Sequence, residues 1–248
     1  MHSRKGAFAL VAAWMAIFSA PANAGETAVA VAANFTAAAK EIASDFERSG
    51  AGTVLLSFGS TGALYTQIVN GAPFGAFLAA DVARPRKLED EGQAVKGSRF
   101  TYAVGRIVLW SRDPALVDTE GAILKAGTFG KLAIANPKTA PYGAAAVETL
   151  KNLGVWDAVK DKIVQGSNIA QTHQFVATGN ADIGFVALSQ IALENGGSKW
   201  PVPGDLYEPI AQDAVLLKDE DSVAKAFLAY LKGPEAARVL DKYGYGTP

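Results

Sequence analysis

Two patterns of apolar residues alternate along this chain. Short unbroken apolar runs, such as 28–32, predict buried β-strands. Longer segments with an apolar residue every three or four positions, such as 36–49, predict helices with one buried face. Because the strand and helix patterns follow each other in turn, the sequence predicts an α/β fold with largely parallel sheets.

The alternation falls into two units, which predicts a two-lobed molecule. Two long extended runs, 99–111 and 207–217, are expected to cross between the lobes. Lobe 1 is expected to comprise residues 25–104 and 212–248, and lobe 2 residues 105–211, each with a mostly parallel sheet flanked by helices. Further strands are expected over 53–56, 76–80, 131–135, 162–165 and 182–186. Further helices are expected over 63–70, 86–91, 142–153, 169–178, 222–231 and 234–243.

The first 24 residues have the features of a secretory signal peptide. Arg4 and Lys5 form a basic start, and an almost unbroken apolar run covers residues 7–20. Ala22-Asn23-Ala24 then supplies the small residues that signal peptidase recognises, so cleavage after Ala24 is expected. The apolar run is too short to span a bilayer comfortably, which favours a signal peptide over a membrane anchor.

Charge and cysteine content narrow the functional classes. The chain has 23 basic and 24 acidic residues, and two of the basic residues belong to the predicted signal peptide. A weakly acidic chain is not expected to bind nucleic acid or an anionic membrane. The chain has no cysteine, which excludes disulfides, thiolate metal sites and a lipid-modified cysteine at the N-terminus.

Four strand-to-helix loops share an unusual composition. They cover residues 34–36, 59–62, 140–143 and 167–170, and none contains Asp, Glu, Lys or Arg. Loops of this kind meet at the carboxyl ends of the strands, where α/β proteins bind ligands. Hydroxyl groups, unpaired N–H groups and the positive ends of helix dipoles suit an anion. The loops therefore predict a site for a fully ionised oxyanion, which needs hydrogen-bond donors only.

Each loop also has a purely structural interpretation. Asn34 and Thr36 could be helix N-caps, and Ser60 and Thr61 could form a cap beside a tight turn. Tyr142 could simply pack against its neighbours. The anion-binding interpretation depends on the recurrence of one loop type in both lobes.

Catalytic interpretations have less support. His173 is the single histidine after residue 24, and it falls inside a predicted helix. A triad of Ser60, His173 and an aspartate is an open alternative, although the chain lacks a G-x-S-x-G elbow and a Walker loop. Asp81, Asp182 and Asp213 could supply oxygen ligands, but their spacing has no EF-hand pattern. We therefore expect no enzyme activity, no cofactor and no cation site.

Several short motifs of the chain occur together in one known family. They are Ala32-Ala33-Asn34-Phe35, Ser57-Phe58-Gly59-Ser60-Thr61-Gly62, Gly71-Ala72-Pro73, Asn136-Pro137, Ala140-Pro141-Tyr142-Gly143 and Lys232-Gly233-Pro234. Through these motifs the chain resembles the periplasmic molybdate-binding proteins of ABC transporters, over essentially the whole mature sequence. The resemblance implies the two-lobed type II periplasmic-binding-protein fold.

The resemblance also implies the ligand and the residues that hold it. Molybdate or tungstate is expected to bind in a cleft between the lobes, through hydroxyl, amide and main-chain donors. Transferred position by position, the implied ligand-binding residues are Asn34, Ser60, Thr61, Tyr142 and the main chain of Ile169. Family members of the enteric type have a serine at position 34 and a ligand tyrosine at position 187. This chain has Ala187, so Tyr142 is expected to supply the missing hydroxyl.

The partners follow from the same resemblance. The protein is expected to be a monomer in the periplasm that delivers its anion to an inner-membrane ABC permease. Two rival functions stay open. One is the same fold binding sulfate, another oxyanion or a small organic anion, and the other is a secreted serine hydrolase that uses Ser60.

Overall fold

The computed structural model describes residues 25–246, and it contains two five-stranded sheets. The first sheet contains β1 (Glu26–Ala32), β2 (Thr53–Gly59), β3 (Ala76–Leu78), β4 (Phe100–Gly105) and β10 (Ile210–Leu216). The second sheet contains β5 (Ile107–Ser111), β6 (Leu132–Ala135), β7 (Ile163–Gly166), β8 (Ile183–Ala187) and β9 (Ser198–Pro201). The predicted signal peptide, residues 1–24, lies outside the described residues.

Both sheets are mixed, with one strand running against the other four. The first sheet has the order β2-β1-β3-β10-β4, and β10 is antiparallel to both of its neighbours. The second sheet has the order β7-β6-β8-β5-β9, and there β5 is the antiparallel strand. The remaining neighbours in each sheet pair in parallel. The two-lobed α/β architecture predicted from the sequence is therefore confirmed.

Helices flank both sheets. They are α1 (Thr36–Arg48), α2 (Thr61–Val69), α3 (Ala83–Asp90), α4 (Ile123–Ala126), α5 (Pro141–Asn152), α6 (Trp156–Val159), α7 (Ile169–Ala177), α8 (Leu188–Ile191), α9 (Ser222–Leu231) and α10 (Pro234–Lys242). The sequence did not predict α4, α6, α8 or β9. The three helices have four residues each, about one turn, which is too short to show a helical period, and β9 (Ser-Lys-Trp-Pro) has no apolar run. None of the described helices is both long and apolar enough to cross a membrane.

The helices pack their apolar faces onto the sheets. Helix α1 buries Ala39, Ile42, Ala43 and Phe46, the face that the sequence predicts. It lies with α9 and α10 on one side of the first sheet, while α2 and α3 cover the other side. The second sheet has its main core on the side that buries Phe185, and α7 covers the opposite side. This packing leaves the carboxyl ends of the parallel strands at the edge of each lobe.

The chain crosses between the sheets twice. Only Arg106 separates β4 from β5, so a single extended segment passes from the first sheet to the second, as predicted. The return path, fully described between Pro201 and Ile210, contains no strand, so the extended run expected over 207–217 forms a strand only from Ile210 onward. The lobe limits expected from the sequence stay a prediction.

Candidate functional site

A small cavity lies between the lobes, at the carboxyl ends of strands from both sheets. The predicted residues Asn34, Ser60, Thr61, Tyr142 and Ile169 all line it. Three of them follow β1 and β2 of the first sheet, and the other two follow β6 and β7 of the second. The structure therefore brings together the loops that the sequence singles out, and the role of their residues as ligands stays a prediction.

The cavity suits a compact ligand. The cavity has a volume of ≈ 190 Å³, which includes space open to solvent. Its lining contains no Asp, Glu, Lys or Arg. Helices α2, α5 and α7 begin at the cavity, so the positive ends of three helix dipoles point towards it. A small anion is the chemical group that fits these features.

Ser60 and Thr61 present unused donors to the cavity. Ser60 immediately precedes α2, yet its side chain makes no capping hydrogen bond, so the interpretation of Ser60 as a side-chain cap is wrong. The Thr61 hydroxyl accepts a hydrogen bond from the Ala80 N–H at 3.1 Å, which leaves its own proton free. Within residues 25–246, no backbone carbonyl accepts a hydrogen bond from the N–H of either residue. Hydroxyl and main-chain donors are thus available at one point.

Tyr142 contributes from the second lobe at the start of α5. Its hydroxyl accepts a hydrogen bond from Gln212 Nε2 at 3.2 Å, so the hydroxyl proton is free to point into the cavity. Burial raises the pKa of Tyr142 well above its usual value. The phenol is therefore protonated throughout the physiological range, and it acts towards a ligand as a donor.

Ile169 opens α7, and the protein orients its peptide group. The side chain of Asn168 caps this helix by accepting a hydrogen bond from the Gln171 N–H. Gln190 Nε2 donates to the Ile169 carbonyl at 3.1 Å. In the described chain no backbone carbonyl accepts from the Ile169 N–H. As the first residue of a helix, Ile169 therefore offers a main-chain donor that is fixed in direction.

Asn34 has a different environment from the one the cap interpretation requires. It lies in a 3₁₀ turn, Ala33–Phe35, and is 3% exposed. Its Nδ2 donates to Gln212 Oε1 at 2.9 Å and lies 3.2 Å from the Tyr245 hydroxyl. The N-cap interpretation of Asn34 is therefore wrong, since its side chain reaches across to strand β10 and the C-terminal segment. Thr36 is not a cap either, because its hydroxyl donates to the Ala33 carbonyl.

A buried polar network behind the cavity was missed by sequence reasoning. Gln212, Tyr102, Tyr245 and Ser189 are all buried. Tyr102 bonds to Gln212 and Tyr245 bonds to Ser189, and the Asn34 amide links the two pairs. Ser189, from the second lobe, donates to the Asn34 carbonyl at 2.9 Å. The available signal was Gln212-Asp213, two polar residues in the middle of the apolar strand β10. Buried polar groups in such a strand need hydrogen-bond partners, so their presence indicates a buried hydrogen-bond network.

The lobes are in direct contact around the cavity. The Gly62 N–H donates to the Thr139 carbonyl at 2.8 Å, and Arg84 Nη2 donates to the Lys138 carbonyl at 3.1 Å. A Cβ at position 62 would lie 3.0 Å from Thr139 Cα, so glycine permits this close approach. In the described conformation the two lobes therefore touch beside the cavity.

The alternative catalytic and metal-binding residues do not form a site. His173 stacks on Trp110 with ring centroids 5.0 Å apart, and neither residue lines the cavity. Asp81 pairs with Arg84, Asp213 pairs with Arg99, and Asp182 accepts hydrogen bonds from the main chain at Gly130 and Lys131. Residues 25–246 contain no cluster of three or more side chains suited to a metal ion. The structure thus does not assemble the Ser60–His173 pair on which the hydrolase alternative depends.

The fold and the cavity define a receptor that encloses a small solute between two lobes. A family model described as bacterial extracellular solute-binding protein matches residues 27–246. The chain belongs to this family.

Named relatives and a solved structure agree with the family. The chain is 59% identical to the molybdate-binding protein ModA of Azotobacter vinelandii, over 96% of each chain. It is 56% identical to the protein of the same name from Rhodobacter capsulatus, over 92% of this chain and 90% of that one. The structure of the Azotobacter vinelandii periplasmic molybdate-binding protein superposes with a TM-score of 0.87 and 41% identity, covering 90% of this chain and 99% of that chain. The resemblance drawn from the sequence motifs is confirmed.

Proposed function

We propose that this protein captures molybdate or tungstate in the cavity between its lobes. The observation that carries the proposal is the set of neutral donors from both lobes that meet there without a charged side chain. The names and identities of the ModA relatives support the choice of anion.

The hydrogen-bond donors of the cavity explain how a dianion can exchange its hydration shell for contacts with the protein. Each hydrogen bond to a charged group contributes about 1.5–3 kcal/mol, roughly twice the value for neutral partners. The hydroxyls of Ser60, Thr61 and Tyr142 and the main-chain N–H groups beside them can act together on one anion. Most residues that line the cavity are buried, and there these bonds are stronger than at the surface, which offsets the cost of desolvation. We assign Asn34 to the site through its main chain, since its amide protons face Gln212 and Tyr245.

The order of affinities among tetrahedral oxyanions tests the proposal. We expect molybdate and tungstate to bind most tightly, sulfate well behind them, and phosphate last. Hydrogen phosphate carries a proton that needs an acceptor, and the cavity lining has no carboxylate. An unpaired buried donor costs about 1–3 kcal/mol, which corresponds to roughly tenfold to a hundredfold in affinity. Sulfate is a bare dianion but is smaller, so its hydrogen bonds to two lobes would be stretched and weakened.

A thermal-shift panel followed by competition titrations at fixed ionic strength measures this order. A ligand that binds only the folded state raises the apparent stability by RT ln(1 + [L]/Kd). Sulfate binding as tightly as molybdate would identify a general oxyanion receptor instead. No stabilisation by any of the four anions, together with turnover of ester substrates that is lost in Ser60→Ala, would identify the hydrolase.

The transport role completes the proposal. The protein works as a monomer in the periplasm and delivers its anion to an inner-membrane ABC permease, which recognises the closed arrangement of the lobes. Residues 1–24 direct export and are removed by cleavage after Ala24, and the intact mass of the exported protein checks this point. No cofactor is required, since the anion itself is the cargo.

A further inference from the structure

We propose that Gln212 is a positioning residue that directs the Tyr142 hydroxyl into the cavity and thereby makes the site select fully deprotonated anions. This inference rests on the proposed function and extends it to a residue that does not line the cavity.

Gln212 holds a central position in the buried network. It lies on β10, the strand that follows the return from the second lobe, and is 0% exposed. Its Oε1 accepts hydrogen bonds from Asn34 Nδ2 at 2.9 Å and from the Tyr102 hydroxyl at 3.0 Å. With two donors at its oxygen, the amide group has only its nitrogen left to face Tyr142.

The orientation of this amide sets the direction of the Tyr142 hydroxyl. Gln212 Nε2 donates to the Tyr142 oxygen at 3.2 Å. A hydroxyl that accepts at this position must place its own proton elsewhere, and the cavity is the open direction. An acceptor in place of Gln212 Nε2 would draw the proton back and turn an oxygen lone pair towards the ligand. One amide orientation thus decides whether Tyr142 attracts or repels an anion.

This arrangement gives a specific account of selectivity. A lone pair of Tyr142 facing the cavity could accept the proton of hydrogen phosphate, so it would add an acceptor for that proton. With Gln212 in place, Tyr142 is a donor and offers no such acceptor. Replacing the amide by a carboxylate of the same shape should therefore weaken molybdate binding and reduce the discrimination against phosphate at the same time.

The variant Gln212→Glu tests the inference, with Gln212→Met and Gln93→Glu as matched controls. Gln212→Met keeps the approximate size but removes both the donor and the acceptor, and Gln93→Glu adds the same charge at an exposed position. At pH 8 we expect Gln212→Glu to lose roughly a hundredfold in molybdate affinity. We also expect its ratio of phosphate to molybdate affinity to rise at least roughly tenfold.

The controls separate positioning from packing. Gln212→Met should lose about tenfold in molybdate affinity, with an unchanged ratio of phosphate to molybdate affinity. In this variant no side chain at position 212 fixes the direction of the Tyr142 hydroxyl, but none turns its proton away from the cavity. Gln93→Glu should match the wild type. The inference would be overturned if Gln212→Glu and Gln212→Met lost the same molybdate affinity and had the same ratio of phosphate to molybdate affinity. The proposed function would then stay intact. A wild-type protein that binds none of the oxyanions would overturn both.

Discussion

Gly105→Ala is expected to abolish most of the molybdate affinity while the protein still folds. A Cβ at position 105 would lie 2.1 Å from the Tyr142 hydroxyl oxygen and 2.6 Å from Gln212 Nε2. Tyr142 is 2% exposed and Gln212 0% exposed, so neither side chain can move freely away. The tyrosine ring must shift towards a cavity that has little spare room. We expect a loss of roughly a hundredfold or more, equivalent to about 3 kcal/mol, because the phenol donor is displaced and the cavity is narrowed.

Calorimetric titration and thermal unfolding of Gly105→Ala together check this result. Overpacking of a buried site costs about 1–3 kcal/mol, which a domain with about 5–15 kcal/mol of stability can tolerate. Gly204→Ala is the matched control, since a Cβ at position 204 has no neighbour within 4 Å. The control should bind like the wild type. Wild-type affinity in Gly105→Ala would mean that the Tyr142 hydroxyl is not part of the site.

Tyr142→Phe isolates the hydroxyl itself. The substitution keeps the buried ring and removes the oxygen that accepts from Gln212. A bound dianion would lose one charge-assisted hydrogen bond, and we expect affinity to fall by roughly tenfold to a hundredfold, or about 1.5–3 kcal/mol. Stability should fall by about 1 kcal/mol, because Gln212 Nε2 loses its buried partner.

Tyr102→Phe is the control for this second prediction. The Tyr102 hydroxyl is also buried and also bonds to Gln212, but Tyr102 does not line the cavity. A comparable loss of stability with a much smaller loss of affinity is expected. If Tyr142→Phe binds molybdate as the wild type does, Tyr142 only packs, and the missing hydroxyl at Ala187 has no replacement.

The location of the site could be predicted because it depends on loops between long, regular elements. Strand β1 and helix α1 have clear periods, so the sequence places Asn34 at the junction between them. The same reasoning places Ser60 and Tyr142 at helix starts, and parallel strand order brings such starts to one edge. Missing β9 and the short helices did not affect the prediction, since none of these elements supplies a predicted ligand residue.

The network behind the cavity could not be predicted in the same way. Asn34 and Gln212 are 178 positions apart, and no local pattern indicates that their amide groups meet. The cap interpretation of Asn34 was reasonable from its neighbours, but tertiary hydrogen bonds to β10 and Tyr245 determine its orientation. Local propensity describes where a helix begins, whereas the direction of a buried amide depends on partners that only the folded chain supplies.

A crystal structure of the protein with molybdate, with diffraction data collected at the molybdenum absorption edge, tests the central claim most directly. We expect one anomalous peak in the cavity, with its oxygens about 2.7–3.2 Å from the hydroxyls of Ser60, Thr61 and Tyr142 and from the Ile169 N–H. An anion held elsewhere, or a cavity that stays empty at saturating molybdate, would contradict the assignment of this site and of its ligand.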